Sequence, residues 1–407
     1  MATLTRMFGD LEDAEDAVQE ACALALTKWP GDGVPANPQA WLIGTARHKV
    51  LDRMRREGRR TEKEAAAVRE EQYGAESTWA PMADDELALI FMCCHPALDP
   101  AVRVGLTLRC VCGLATSEIA AAFLLPEPTM AQRLVRAKRK IRQAGIAFKV
   151  PARDERAGRL GAVLRVVYLV FTQGHMAARG DALVRGELCE QAIRLARALA
   201  ALMPGEPEVT GLLALLLLTD ARRPARTDEA GELVLLGDQD RGRWDRAMIE
   251  EGEDLLEVAL RAGRPGAYQL HAAIAACHCA AAGPDWREVA ALYGELIRYE
   301  PTPVVAANRA VAVAMSEGPA VGLAMLEAAG AHPQLAHWPQ FHVARAELLR
   351  RLGRRQEAAA AYRAALLLTP SRPESAFLER RLAELLNPRP PACRGPDPAA
   401  RAPILEL

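Results

Sequence analysis

Basic side chains recur at helical spacing in residues 127–142, EPTMAQRLVRAKRKIR, and they could bind a polyanion. Polar and basic residues form one uninterrupted stripe of this predicted helix: Thr129, Arg133, Arg136 and Lys140. Side chains of this kind neutralise phosphates and hydrogen-bond to base edges, but they do not make or break covalent bonds. The stripe therefore indicates a DNA-contacting face, with an ordinary solvated surface helix as the alternative.

An apolar stripe on the same segment predicts how this helix is held. It consists of four residues that can pack on a small core: Met130, Leu134, Ala137 and Ile141. A short helical segment, TSEIAAAF, and a turn at residues 124–126 come directly before it. A helix, a short turn and a second helix with polar residues at its start are the helix-turn-helix arrangement. This context favours a recognition helix over a surface helix.

Two further charged helices are predicted near the N-terminus. The first, residues 10–29, carries Asp13, Asp16 and Glu20 on one side, which suits a basic partner surface or simply a soluble helix face. The second, residues 38–57, has one apolar stripe, and its other faces are basic. Such a helix could contact a DNA backbone, or it could be an ordinary basic helix of a soluble protein. Its stripe is Ile43, Ala46, Val50 and Met54, its basic residues are Arg47, His48, Lys49, Arg53, Arg55 and Arg56, and Trp41 could anchor the packing.

Composition places these segments in a helical chain of several domains. The chain has 407 residues, of which 50% are hydrophobic and only 5% aromatic, and Ala and Leu dominate. The formal net charge of −1 hides acidic and basic segments, which are what a polyanion meets locally. The N-terminus has acids where a signal peptide needs an apolar run, and the longest apolar run, residues 212–218, is too short to span a bilayer. We therefore expect a cytoplasmic protein with no membrane partner.

Nothing in the sequence matches a catalytic or metal-binding motif. Three Cys/His clusters, at residues 93–95, 110–112 and 277–279, lack the spacing of a paired CxxC zinc site. Reduced cysteines among Ala and Val on helices are more often small core residues, although metal or redox sensing is the alternative. Phosphate-loop, HExxH, GxSxG and GxGxxG motifs are also missing. We therefore expect no enzyme activity, no catalytic residues, no metal and no cofactor.

Three segments together resemble a known family. GDLEDAEDAVQEACALAL and AWLIGTARHKVLDRMRRE resemble region 2, and LATSEIAAAFLLPEPTMAQRLVRAKRKIR resembles region 4, of the extracytoplasmic-function sigma factors of bacterial RNA polymerase. These belong to the sigma-70 family, and the likeness is to its sigma-24-like members. Within that group the chain looks most like the subfamily with a C-terminal extension of tetratricopeptide-like helices. Region 2 usually begins with one more helix, and only MATLTRMFG precedes the acidic helix here, so we expect either a shortened region 2 or a true start further upstream.

The resemblance implies three contact surfaces. The face that binds the clamp helices of polymerase would comprise Asp13, Asp16, Gln19 and Glu20. The segment that melts and holds the −10 element would comprise Trp41, Thr45, Arg47, His48, Lys49, Asp52, Arg55 and Arg56. The helix that reads the −35 element would comprise Thr129, Gln132, Arg133, Arg136 and Lys138, and the basic stripe adds Lys140.

The C-terminal half is predicted to be helical and repetitive. LYGELIRYEP and AYRAALLLTP align at an offset of about twice the 34-residue tetratricopeptide period, with Tyr293 matching Tyr362. Such repeats stack into a solenoid that binds proteins. Two segments dense in opposite charges, DARRPAR and DQDRGRWD, indicate either a structural ion-pair network or a binding groove.

The predicted fold is therefore all-α, in five parts. They are a region-2-like domain at 1–60, a linker at 61–83, a region-4-like helix-turn-helix domain at 84–147, a tetratricopeptide-like domain at 148–386 and a disordered tail at 387–407. The predicted function is a sigma factor that binds core RNA polymerase and the −10 and −35 elements of promoter DNA and is regulated by its C-terminal helical domain, for which a protein partner is possible. The alternative is a stand-alone helix-turn-helix regulator with a repeat-type sensor domain, for which the acidic and basic N-terminal helices would have no use.

Overall fold

The computed structural model describes residues 1–56, 83–123, 125–175, 185–228, 232–369 and 372–386. In these residues the chain forms nineteen α-helices and three short 3-10 helices, and no strand beyond one isolated bridge between Thr227 and Leu233. The predicted all-α class is confirmed. The predicted linker, except for its last residue, and the predicted tail lie outside the described residues.

The helices divide between two compact units, Met1–Val167 and Tyr168–Leu407. The first unit contains α1 Ala2–Phe8, α2 Leu11–Asp32, α3 Pro38–Arg56, α4 Ala83–Cys93, α5 Pro100–Cys110, α6 Thr116–Ala122, α7 Glu127–Gln143 and the start of α8 Arg153–His175. The second contains the end of α8, then α9 Gly186–Leu202, α10 Pro207–Asp220, α11 Arg246–Arg261, α12 Ala267–Cys279, α13 Trp286–Tyr299, α14 Pro303–Glu317, α15 Pro319–Ala329, α16 Pro333–Ala336, α17 Pro339–Arg351, α18 Arg355–Leu368 and α19 Arg372–Leu386.

The first three helices pack around a core made mostly of alanine. Ala14, Ala17 and Ala21 of α2 meet Ile43, Ala46 and Val50 of α3, with Leu4 of α1 beside them. The small side chains let α2 and α3 lie close together. Polar caps begin both longer helices: Asp10 accepts from the amide of Glu12 at 2.7 Å, and Asn37 accepts from the amide of Ala40 at 3.0 Å. The ten residues before α2 still include a packed helix, α1.

The helix-turn-helix part has a separate core of larger side chains. Phe91 of α4, Leu106 and Leu108 of α5, and Ile119 of α6 are fully buried. The turn between α6 and α7 is closed by a hydrogen bond from the amide of Leu125 to the carbonyl of Ala120, at 2.9 Å. This core fixes the position of α7, because one whole side of α7 packs against α5 and α6.

A helix that is buried on all sides lies in the second unit. The leucines of α10 at residues 212–218 are at most 3% exposed, as their uninterrupted apolar run predicted. Each buried leucine contributes about 1.5–3 kcal/mol of transfer free energy. Helix α12 can lie against α10 because residue 211 is glycine, where a Cβ would come within 2.8 Å of the Gln269 side chain. Helix α10 is therefore the structural centre of its part of the unit.

The two charge-dense segments of the second unit make internal contacts. Asp220 pairs with Arg223 at 3.3 Å, and the Arg241 guanidinium lies 4.8 Å from the centre of the Trp244 ring. Asp245 caps α11 by accepting from the amide of Met248 at 3.0 Å. These contacts support the structural interpretation of DARRPAR and DQDRGRWD over the binding groove.

A buried carboxylate joins the last three helices. Glu347 of α17 accepts hydrogen bonds from Tyr362 Oη of α18 at 2.7 Å, Arg350 at 2.6 Å and Arg381 of α19 at 3.1 Å. Burial raises the pKa of Glu347, but the two guanidiniums and Tyr362 outweigh it and hold the pKa below its usual value. Tyr293 of α13, the predicted counterpart of Tyr362, is also buried.

Among the helices of the described residues, none combines the length and the apolar character that crossing a bilayer requires.

Candidate nucleic-acid interface

Helix α7 presents one packed side and one open side. Its buried residues are the four predicted from the sequence, Met130, Leu134, Ala137 and Ile141, each at most 5% exposed. Pro128 stands in the first turn, where its missing amide hydrogen is not needed. The packed stripe fixes the rotation of α7 about its axis, and therefore decides which side chains face outward.

The outward side carries most of the predicted −35 residues. Gln132, Arg133, Arg136 and Lys140 are exposed, and Thr129 is half-buried at the N-terminal end. Within the part of the chain that the structure describes, no ion pair or side-chain hydrogen bond engages Arg133, Arg136 or Lys140. Three cations without internal partners keep their full capacity to bind an anionic ligand.

Lys138 lies on the other flank of the packed stripe, apart from the outward side. Its ammonium pairs with Glu15 of α2, and Arg109 of α5 donates to the same carboxylate at 2.8 Å. Burial raises the pKa of Glu15, but the hydrogen bonds and charges of Lys138 and Arg109 more than offset it and lower the pKa. Glu15 therefore stays ionised between two cations.

Arg142, one turn further along α7, extends this contact. Its Nε donates to Asp10 at 2.5 Å, and its Nη2 reaches Glu12 at 2.7 Å. Burial raises the pKa of Asp10, but the hydrogen bonds of Arg142 and of two backbone amides lower it overall. We call this group the latch, and it comprises Asp10, Glu12 and Glu15 with Arg109, Lys138 and Arg142.

The acidic half of the latch was not predicted from the sequence. The acidic residues predicted to bind a partner were Asp13, Asp16 and Glu20. Of these, Asp16 and Glu20 are exposed, as is Gln19, and Asp13 is half-buried. Glu15 borders the apolar stripe of α2 and is only 9% exposed. A carboxylate at the edge of a packed stripe needs a cationic partner. The position of Glu15 in the apolar repeat of α2 is therefore the feature from which this contact could have been predicted.

Helix α3 carries the predicted −10 residues on a different surface. Trp41 packs edge-on against Trp29 of α2, with ring centres 5.5 Å apart. His48 and Lys49 are exposed, and Thr45 and Arg47 are half-buried. The side chains of Arg55 and Arg56, like that of Asp52, lie outside the described residues. Ile43, Ala46 and Val50 are buried as predicted, so the face that includes Trp41, Thr45 and His48 points away from the core.

The three predicted Cys/His clusters contain mainly packed thiols. Cys93, Cys94, Cys110 and Cys279 are at most 4% exposed, whereas Cys112 and Cys277 are half-buried. Burial raises the pKa of Cys94 to about 12. In the described residues none of these clusters brings three metal-ligating groups together. Their burial supports the structural interpretation.

Three protein families match parts of the chain. Sigma-70 region 2 matches residues 1–60, and Sigma-70, region 4 matches residues 88–141. A family of unknown function, DUF6596, matches residues 159–260. The first two matches cover the residues predicted to contact polymerase, the −10 element and the −35 element, and the third covers α9, α10 and most of α8 and α11.

Individual proteins align with different shares of the chain. Uncharacterized protein R00370 of Rhizobium meliloti (strain 1021) is 44% identical over 394 residues, which are 95% of this chain and 93% of the relative. "Probable ECF RNA polymerase sigma factor SigI", from two Mycobacterium tuberculosis strains, is 31% identical over 156 residues, which are 37% of this chain and 53% of SigI. No solved structure matches the chain. The chain belongs to the family of R00370, and its sigma-70 regions 2 and 4, together with the partial likeness to SigI, support a sigma-70-type, extracytoplasmic-function-like sigma factor.

Proposed function

We propose that this sigma factor binds core RNA polymerase, directs it to promoters through their −10 and −35 elements, and is regulated by its C-terminal helical unit. The observation that carries the proposal is the outward side of α7. A packed stripe holds this helix in a fixed rotation while three exposed cations on it have no internal partner among the described residues.

Helix α7 would read the −35 element in the major groove. Arg133 and Arg136 suit bidentate pairing with guanine, and Gln132 suits adenine, each pair being worth about 1–3 kcal/mol of discrimination. Thr129 and Lys140 would fix the register on phosphates. Lys138 belongs to the same proposed set, but it must leave Glu15 before it can contact DNA.

Two surfaces of the region-2 helices would complete the assembly. The polymerase clamp would bind the acidic face of α2, and the −10 element would bind the outward face of α3. The proposed residues are Asp13, Asp16, Gln19 and Glu20 for polymerase, and Trp41, Thr45, Arg47, His48, Lys49, Arg55 and Arg56 for DNA. Each DNA surface is small, and attachment to polymerase would supply the combined affinity through effective concentration.

The latch conflicts with simultaneous reading of both elements. Elements centred about 25 base pairs apart are separated by roughly 85 Å of duplex, at about 3.4 Å per base pair. The ion pairs Arg109–Glu15 at 2.8 Å and Arg142–Glu12 at 2.7 Å instead hold α2 beside α5 and α7. We infer that the latch opens when the protein engages polymerase and a promoter, and that it lowers the activity of the free protein.

The C-terminal unit would regulate this engagement by binding a protein partner. Its paired helices, with Tyr293 and Tyr362 buried at matching positions, support a tetratricopeptide-like arrangement. Solenoids of such helices present concave surfaces that bind other proteins.

Run-off transcription with core polymerase tests the proposed function. Arg133→Ala with Arg136→Ala should abolish promoter-specific transcripts and leave polymerase pull-down unchanged. Lys149→Ala with Arg165→Ala removes two exposed charges from the same unit and should change neither. The sigma-factor proposal would be overturned if the wild-type chain bound operator DNA but did not associate with polymerase. That result would establish the stand-alone regulator instead.

A further inference from the structure

Three buried side chains of different chemistry meet in the second unit. They are His175 at the end of α8, Cys189 in the first turn of α9 and Asp220 at the end of α10, and each is at most 2% exposed. One nitrogen, one sulfur and one oxygen from this group lie within 4.8 Å of one another. No motif in the sequence predicts this group, because its three residues come from three different helices.

The fold brings α8 and α9 together at this point through a glycine. A Cβ on Gly174 would lie 2.8 Å from the backbone nitrogen of Cys189, so only glycine allows this approach. The imidazole of His175 is stacked on Phe171, with ring centres 5.4 Å apart and planes 15° from parallel. Buried Arg226 donates to the backbone carbonyl of His175. Stacking on Phe171 therefore holds the imidazole beside the thiol, and the Arg226 contact holds the backbone that carries it.

Asp220 has one carboxylate oxygen in use and one unused. Oδ2 pairs with Arg223 Nη2 at 3.3 Å, while Oδ1 is buried without a hydrogen-bond partner among the described residues. Buried carboxylate oxygens are normally satisfied by donors or by metal ions. A ligating carboxylate whose other oxygen is held by a donor is also the usual arrangement at metal sites. The Cys189 thiol lies close enough to interact with this carboxylate, so a metal ion that replaces the thiol proton would bind the thiolate and the unused oxygen together.

Imidazole nitrogen, thiolate sulfur and carboxylate oxygen form a donor set that suits Zn²⁺. Ligands around one tetrahedral zinc stand about 3.3–3.8 Å apart, so these three atoms would close by roughly 1 Å on binding. The thiol must release its proton to solvent as it binds. The positive charge of the neighbouring arginines opposes the cation, but the thiolate and the carboxylate together balance its two charges.

We propose that His175, Cys189 and Asp220 form a zinc-binding site that joins α8, α9 and α10. Water takes the fourth position, because the group supplies three protein ligands. Binding of the metal stabilises the second unit, since the site exists only where the three helices are assembled. This site is independent of the DNA and polymerase surfaces.

Metal titration of the reduced, chelator-treated full-length chain tests the proposal. One zinc per chain should bind and raise the thermal midpoint, and Co²⁺ in its place should give a thiolate-to-cobalt charge-transfer band. Cys189→Ser should remove that band and the thermal shift. Cys279→Ser is the matched control, because Cys279 is a buried thiol of the same unit whose Sγ contacts the Leu218 carbonyl at 3.5 Å. Cys279→Ser should show the same charge-transfer band and the same thermal shift as the wild type.

Variants that keep the thiol protect the test against misfolding. His175→Gln should weaken zinc binding at least 100-fold, and Arg223→Gln should weaken it about 10–100-fold with the stoichiometry unchanged, because Arg223 only orients Asp220. A wild-type chain that binds no zinc would overturn the proposal. So would a charge-transfer band that survives in Cys189→Ser, or zinc affinity unchanged in both His175→Gln and Asp220→Asn, since the metal would then occupy other thiols.

Discussion

Replacing Glu15 with glutamine should loosen the latch without disturbing a proposed contact surface. Glutamine keeps the size and one hydrogen-bond acceptor of Glu15 but removes the charge between Lys138 and Arg109. The exposed side-chain fractions are 12% for Glu15, 14% for Lys138 and 25% for Arg109. Breaking a fully buried ion pair costs about 3–5 kcal/mol. Because both cations here can turn towards water, we expect a loss of about 2 kcal/mol from the closed arrangement.

This loss should increase the activity of the protein at low concentration. About 2 kcal/mol corresponds to a roughly 30-fold change in the equilibrium between closed and open forms. If the closed form dominates, the concentration that gives half-maximal transcription falls by up to the same factor, because apparent affinity scales with the competent fraction. Run-off transcription on a promoter with both elements, at fixed core polymerase, measures this concentration directly.

Two further variants separate the latch from general effects of charge. Glu12→Gln removes one exposed pair, whose side chains are 45% and 53% exposed, and should shift the half-maximal concentration less than about twofold. Arg109→Gln should act like Glu15→Gln, and the double variant should gain little more, because both remove the same contact. The latch has no regulatory role if Glu15→Gln folds normally and leaves the half-maximal concentration unchanged or higher.

Three other predictions concern the same unit and its regulation. Wild type and Glu15→Gln should differ in unfolding free energy from neutral pH down to about 4.3, the ordinary pKa of a glutamate. The difference should vanish as the pH falls further, through the lowered pKa of Glu15 in the folded protein. Urea titrations at several pH values would measure it. Leu134→Ala should destabilise the first unit by about 2–5 kcal/mol, seen as a lower urea midpoint, and should abolish −35-dependent transcription; unchanged stability would contradict the packing of α7. A chain ending at Val150 should change the amount of transcript without changing which promoter is used, as transcription from a promoter mixture would show; a shift in promoter sequence would mean that the C-terminal unit reads DNA.

Helix α7 shows what periodicity can predict. Its four buried residues follow from a 3.6-residue repeat, and its start follows from prolines at residues 126 and 128. The same repeat leaves both flanks of the buried stripe polar and basic. Nothing local distinguishes the flank that faces solvent from the flank that meets α2, and the family resemblance had grouped Lys138 with Arg133 and Arg136. Only the packing of one domain on another separates them.

The buried group around Asp220 shows a second limit. Metal motifs are recognised by ligands that share a turn or a short loop, and the sequence analysis therefore weighed the adjacent cysteines. His175 and Cys189 are each isolated in the chain and become neighbours only because Gly174 lets two helices touch. Conversely, the adjacent Cys93 and Cys94 are buried among hydrophobic side chains. Proximity in sequence therefore could not predict this group, whereas the burial of Cys93 and Cys94 supports the structural interpretation favoured from the sequence.

If α7 reads DNA as proposed, the latch reconciles that role with the net charge of −1. Carboxylates of α2 take the position beside Lys138 and Arg142 that phosphates would take on DNA, so α2 competes with the polyanion for those two cations. A basic side chain that leaves a carboxylate to pair with a DNA phosphate loses one ion pair as it gains another. It therefore adds little to the net free energy of DNA binding. Arg133, Arg136 and Lys140 face no such competitor among the described residues. Net DNA affinity and sequence selection should therefore both come from the outward side of α7, while the inner flank controls when that side is presented together with the region-2 surfaces.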